Sequence, residues 1–149
     1  MEEIIKKLGH YLADSYILYF KTLNFHWNMT GPAFFMYHTL FQSQYETLAE
    51  ANDTIAERIR QLGAKTPGSM KEFLQLAQMK ESSTTLSAQE MVQELVGSHR
   101  LMVHQSASLI PLCEKKGDMG TSDLIIDRLR DHDKQAWLLV SHFNDTQAL

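Results

Sequence analysis

At 149 residues with 44% hydrophobic residues, the chain can bury a core without staples, and its formal net charge of −4 offers no general attraction to nucleic acid. A single cysteine, Cys113, excludes an intrachain disulfide and suits a reducing cytosol. No apolar run is long enough to cross a bilayer, and the first residues lack the apolar stretch of a secretory signal, so a single soluble domain over residues 1–149 is expected.

Apolar residues from Ile4 through Leu8, Leu12 and Leu18 to Leu23 recur at three-and-four spacing and predict a first helix from about Glu2 to Phe25. Glu2 and Glu3 complement the dipole of its first turn. Asn28 to Pro32 is a turn. A second helix follows from about Phe34 to Leu62, uninterrupted by Gly or Pro, with Arg58 and Arg60 in its last turns and Gly63 as its stop. Ser69 and Glu72 have capping-box spacing and open a short helix to about Gln78, and Glu81 to Thr85 is a polar loop. Ser87 and Glu90 repeat that spacing and open a third long helix ending near Lys115, Lys116 and Gly117, its final turns expected to kink at Pro111. Thr121 is expected to cap a last helix running to about Phe143. The fold class is all-α. Four long helices, with a short one where an antiparallel bundle needs a crossover, predict a ferritin-like four-helix bundle.

Candidate chemistry concentrates between His26 and Glu57. His38 and Gln42 lie one helical turn apart, as do Asp53 and Glu57, so each pair shares a face of the second helix. Imidazole with carboxylate suits iron or another first-row transition metal better than calcium or magnesium. His38 and Asp53 are separated by about 22 Å on a straight helix, too far for one ion. Two copies of the helix, antiparallel about a two-fold axis near Thr47, would set His38 and Gln42 of one subunit against Asp53 and Glu57 of the other. The expectation is a metal site shared between subunits.

The stretches HWNMTGPAFFMYH, DTIAERIRQLG and GDMGTSDLIIDRLRDHDKQAWLL together closely resemble the Dps family of small ferritin-like proteins, and the resemblance covers nearly the whole chain. It implies a shell of twelve subunits built from two-fold dimers that oxidises ferrous iron, with hydrogen peroxide or oxygen, and stores the ferric product. It also implies a di-iron ferroxidase centre at the two-fold interface, with His26 and His38 from one subunit and Asp53 and Glu57 from its partner. Glu57 would bridge two irons. Gln42 departs from the family, which usually has Asp or Glu there. A neutral amide is a poorer iron ligand and adds no balancing charge, so the position near His38 and Gln42 is expected to bind iron more weakly than that near Asp53, Glu57 and His26. Asp123 and Asp127 would line a three-fold pore through which iron enters, because rings of carboxylates concentrate cations.

Blander readings compete. His10, His99, His104, His132 and His142 are expected to be surface or structural residues. Asp53 and Glu57 alone would read as a solvated face, with Glu57 paired to Arg58 or Arg60, and Asp123, Asp127 and Asp131 as an acidic ridge assisted by the helix dipole. Trp27 is expected to pack at the dimer interface, Trp137 in the bundle or an interface, the methionines as core filler and Cys113 as a thiol with no catalytic base. A DNA-compacting shell and a structural bundle with a decayed metal site are the competing functions. Lys6 and Lys7 are the only basic pair near the start, and Asn144 to Leu149 has no basic residue, so little DNA binding is expected.

Overall fold

The computed structural model describes residues 1–141, folded into α1 (Glu2–Asn28), α2 (Phe34–Gln61), α3 (Met70–Leu76), α4 (Ala88–Lys115) and α5 (Met119–Val140). It is an all-α four-helix bundle with α3 as an extra short helix in the crossover between α2 and α4. His142, the expected end of the last helix at Phe143, and Asn144 to Leu149 lie outside the described residues.

Local chemistry fixes the helix ends. Ser69 and Ser87 each accept from the backbone N–H three residues on, while Glu72 and Glu90 reach back to the capping residue's own N–H. Gly63 and Gly117 have positive φ of 90° and 74° just past the ends of α2 and α4. The following N–H groups return to Ile59 and Cys113, closing both helices with the six-to-one bond that a left-handed glycine permits. The last helix departs from expectation, because its N-cap is Asp118 and not Thr121. The Asp118 carboxylate accepts from the Thr121 N–H at 3.1 Å and from its hydroxyl at 2.6 Å, so Thr121 lies inside the first turn. Pro111 does not end α4, which continues to Lys115; Pro111 and Ala107, whose carbonyl loses its partner, both face water.

Ile4, Leu8, Leu12 and Leu18 of α1, Phe41 and Ile55 of α2, Leu95 and Met102 of α4, and Ile125 and Leu139 of α5 form one buried core. Each such side chain contributes about 1.5–3 kcal/mol on leaving water. Helix α1 packs on α2 and α4, α4 on α5, and α3 rests on α1. Buried polar groups fix the register of these layers. The fully buried Asp14 accepts from the backbone N–H groups of Gln78 and Met79 at 2.7 Å and from Gln105, tying the crossover to α1 and α4. Ser15 donates to Asn52 between α1 and α2. Arg58 donates to Asp118 at 2.7 Å and to the Thr121 hydroxyl at 2.9 Å, locking the end of α2 onto the start of α5.

Candidate metal centre

Helix α1 extends to Asn28, so His26 stands in its last turn and not in the connecting turn, while His38 is in the second turn of α2. The short connection between them brings the two histidines together. Nδ1 of His26 donates to the His38 carbonyl, and Nδ1 of His38 donates to the His26 carbonyl, both at 2.7 Å. The rings stack at 3.7 Å with 12° between their planes. Phe34 stacks on His38 at 4.8 Å, and Tyr45 meets His26 edge-on at 5.2 Å. A carbonyl can only accept, so both Nδ1 atoms carry the proton and both Nε2 atoms present a lone pair. A bond of this kind from the opposite ring nitrogen orients a metal-binding imidazole. Among the described residues no hydrogen bond occupies either Nε2.

Asp53 and Glu57 are exposed on α2, and among the described residues neither has an ion-pair or hydrogen-bond partner. The bland pairing of Glu57 with a neighbouring arginine does not form. Arg58 is committed to Asp118, Thr121 and Gln61, and Arg60 to the Ala64 carbonyl. Within one protomer the histidine pair and the carboxylate pair stay at opposite ends of α2, and no three His, Cys, Asp or Glu side chains converge among the described residues. Gln42 is exposed and its amide donates to Glu46 at 2.9 Å. Glu46 was not singled out from the sequence, although its four-residue spacing from Gln42 carried the signal.

Trp27 beside His26 is 66% exposed, as are Phe35 (79%) and Met36 (42%), so an apolar surface adjoins the histidines. Asp127 is exposed and pairs with Arg128 at 3.1 Å and Arg130 at 3.6 Å; Asp131 takes Arg128 at 3.2 Å, and Asp123 is exposed. Asp118 is part of the Arg58 network: burial opposes its ionisation, but hydrogen bonds from Thr121 and the Arg58 guanidinium hold its carboxyl below the usual range.

Two histidines expected to be surface or satisfied structural residues form a buried pair. His99 of α4 and His132 of α5 are fully buried, with Nδ1 atoms 2.9 Å apart, and neither Nε2 has a partner among the described residues. One ring must donate and the other accept, so the accepting ring is neutral. Burial, and then Arg128, push His132 down to about 3, and burial also drives His99 well below its ordinary value. Of the remaining histidines, His10 donates to the Leu76 carbonyl at 2.8 Å and His104 is exposed, while Cys113 is a buried free thiol, its ionisation pushed up to about 11 chiefly by burial. Trp137 is 57% exposed.

The Ferritin-like domain family matches residues 5–149. The chain is 39% identical over 93% of its length to a low temperature-induced protein of Nostoc sp., covering 78% of that protein. It is 32% identical over 96% of its length to DNA protection during starvation protein 2 of Bacillus anthracis, covering 98% of that protein. Among solved structures, the Dps protein of Vibrio cholerae O1, described as a member of a superfamily of ferritin-like diiron-carboxylate proteins, superposes with a TM-score of 0.91 at 32% identity, over 95% of this chain and 89% of that one.

Proposed function

This chain belongs to the Dps family of ferritin-like proteins, and from that premise we propose that it oxidises ferrous iron at sites shared across a two-fold dimer and stores the ferric product inside a shell of twelve subunits. The observation that carries this reading is the reciprocal bonding of His26 and His38, which protonates both Nδ1 atoms and leaves two Nε2 lone pairs for a cation. The carboxylates of Asp53 and Glu57, unpaired among the described residues, lie at the far end of the same helix, and an antiparallel partner would bring its own pair to the histidines. Trp27 and its apolar neighbours would then be covered by the partner, excluding water and strengthening every charge interaction at the site.

In this reading iron is the substrate. His26 and the partner's carboxylates hold the first ferrous ion, with Glu57 reaching toward a second. His38 and Gln42 face that second position, where Gln42 supplies no charge and its amide is held by Glu46. The second position is therefore filled weakly. Hydrogen peroxide is the oxidant we assign, Asp123 and Asp127 are assigned to the iron-entry pore, and the shell works in the cytosol.

Ferrous iron loaded anaerobically onto the purified oligomer, then exposed separately to hydrogen peroxide and to air, tests the reading. Ferric absorbance should rise faster with peroxide, the product should stay soluble, and both effects should vanish in His26→Ala and Asp53→Ala. Oxidation no faster than that of free iron would remove the ferroxidase and leave a structural or DNA-associated shell.

A further inference from the structure

Resting on that ferroxidase reading, we propose that Tyr45, Tyr19 and Tyr16 form an electron relay joining the two metal sites of one two-fold dimer. From the His26 ring, 5.2 Å from that of Tyr45, the chain of contacts continues inward. Tyr45 meets Tyr19 at 6.2 Å and 89°, and Tyr19 meets Tyr16 at 6.2 Å and 79°. All three tyrosines are half-buried in the seam between α1 and α2. At the far end the Ser15–Asn52 hydrogen bond aligns the two helices one residue before Tyr16 and Asp53.

The tyrosines thus run from the histidine end of α2 to its carboxylate end. In an antiparallel dimer each protomer lends its histidines to one site and Asp53 and Glu57 to the other, so the same chain spans from site to site.

The need for such a path follows from Gln42. Peroxide must receive two electrons to become water, whereas one firmly held ferrous ion gives one and would leave a hydroxyl radical. The next ferrous ion lies about 22 Å away along α2. Electron tunnelling falls steeply with distance, and ring contacts of about 5–6 Å divide the span into short hops.

The balance closes as follows. One ferrous ion gives peroxide an electron; Tyr45 gives the second electron together with its phenolic proton; water supplies one more proton, and the peroxide leaves as two waters. The oxidised state passes to Tyr19 and Tyr16, each phenol regaining a proton as the next loses one. Tyr16 then takes an electron from the ferrous ion of the second site and a proton from water. The sum is two ferrous ions, one peroxide and two protons giving two ferric ions and two waters.

The test uses Tyr19→Phe, which keeps the ring, removes the oxidisable phenol and touches no metal ligand. Purified oligomer is loaded with one ferrous ion per site and given hydrogen peroxide. Peroxide consumed per iron, hydroxyl-radical spin adduct and freeze-quenched tyrosyl resonance are then followed. Wild type should consume one peroxide per two irons, show a transient tyrosyl signal and give little adduct. In Y19F the peroxide consumed per iron should double and the adduct rise, with ferrous binding by calorimetry unchanged; Tyr16→Phe, which cuts the chain elsewhere, should do the same. Wild-type ratio and adduct in both variants would overturn the relay and leave the ferroxidase standing. No peroxide-driven oxidation by wild type would overturn both.

Discussion

His26 and His38 hold one another, and that mutual hold decides which nitrogen each can give to a metal. The proposed pairing with Asp53 and Glu57 rests on the spacing, because helical geometry converts residue number into face and distance. The tautomer was not legible, since it depends on two carbonyls that only a tight α1–α2 turn can deliver. Gln42 shows the same division: its chemistry could be read directly, but its bond to Glu46 needed the rotamers. In Gln42→Glu a carboxylate would face Glu46 one turn away, and the repulsion should destabilise the metal-free protein by about 0.2–0.5 kcal/mol. Added ferrous iron should reverse the sign. Thermal melts with and without iron, and calorimetric stoichiometry rising from one toward two irons per site, check this; unchanged stoichiometry counts against the weak second position.

At the scale of helices, caps and stops were the most legible features and buried polar ties the least. The capping boxes at Ser69 and Ser87 involve residues three apart, so the sequence contains both partners. Asp118 displaced Thr121 as the cap of α5 because its second partner, Arg58, is sixty residues distant in the chain. Asp14→Ala would leave the Gln78 and Met79 N–H groups without their acceptor, and should cost about 3 kcal/mol, measurable by denaturant unfolding. The His99–His132 contact between α4 and α5 makes stability depend on pH. Native His132 titrates at about 3, but once unfolded it binds its proton at about 6.5, so the unfolded state gains protons first as pH falls. Stability is complete above about pH 6.5 and declines as pH falls toward the depressed value of His132, with buried His99 acting in the same direction. Unfolding midpoints between neutral and mildly acid pH should fall in wild type, and the acid slope should flatten in a His99→Leu, His132→Leu variant.

The whole molecule presents one surface that a monomer does not need. Trp27, Phe35 and Met36 leave apolar area open beside the histidines, and in the proposed dimer a second copy covers that area and completes the site. Trp27→Glu should therefore shift the protein to smaller species in light scattering and lower peroxide-driven iron oxidation, with little change in helical content. Loss of iron oxidation without dissociation would instead assign Trp27 to the chemistry. The net charge of −4 gives no general attraction to a phosphate backbone, and Asp127 pairs locally with Arg128 and Arg130. The intact oligomer should not retard duplex DNA at physiological ionic strength, and a salt-sensitive mobility shift would contradict that.

Periodicity, caps and turn glycines act within a few residues, so the sequence by itself determined that this chain forms four long helices and a short one, and which residues are the candidates for metal chemistry. Residues far apart in the chain meet only when the helices pack, so tertiary structure alone decided the rest. It faced His99 toward His132, gave Arg58 to Asp118 and freed Glu57, and strung three tyrosines between the ends of α2. Each of these depends on the rotation of one helix against another, which side-chain volume and buried hydrogen bonds settle together.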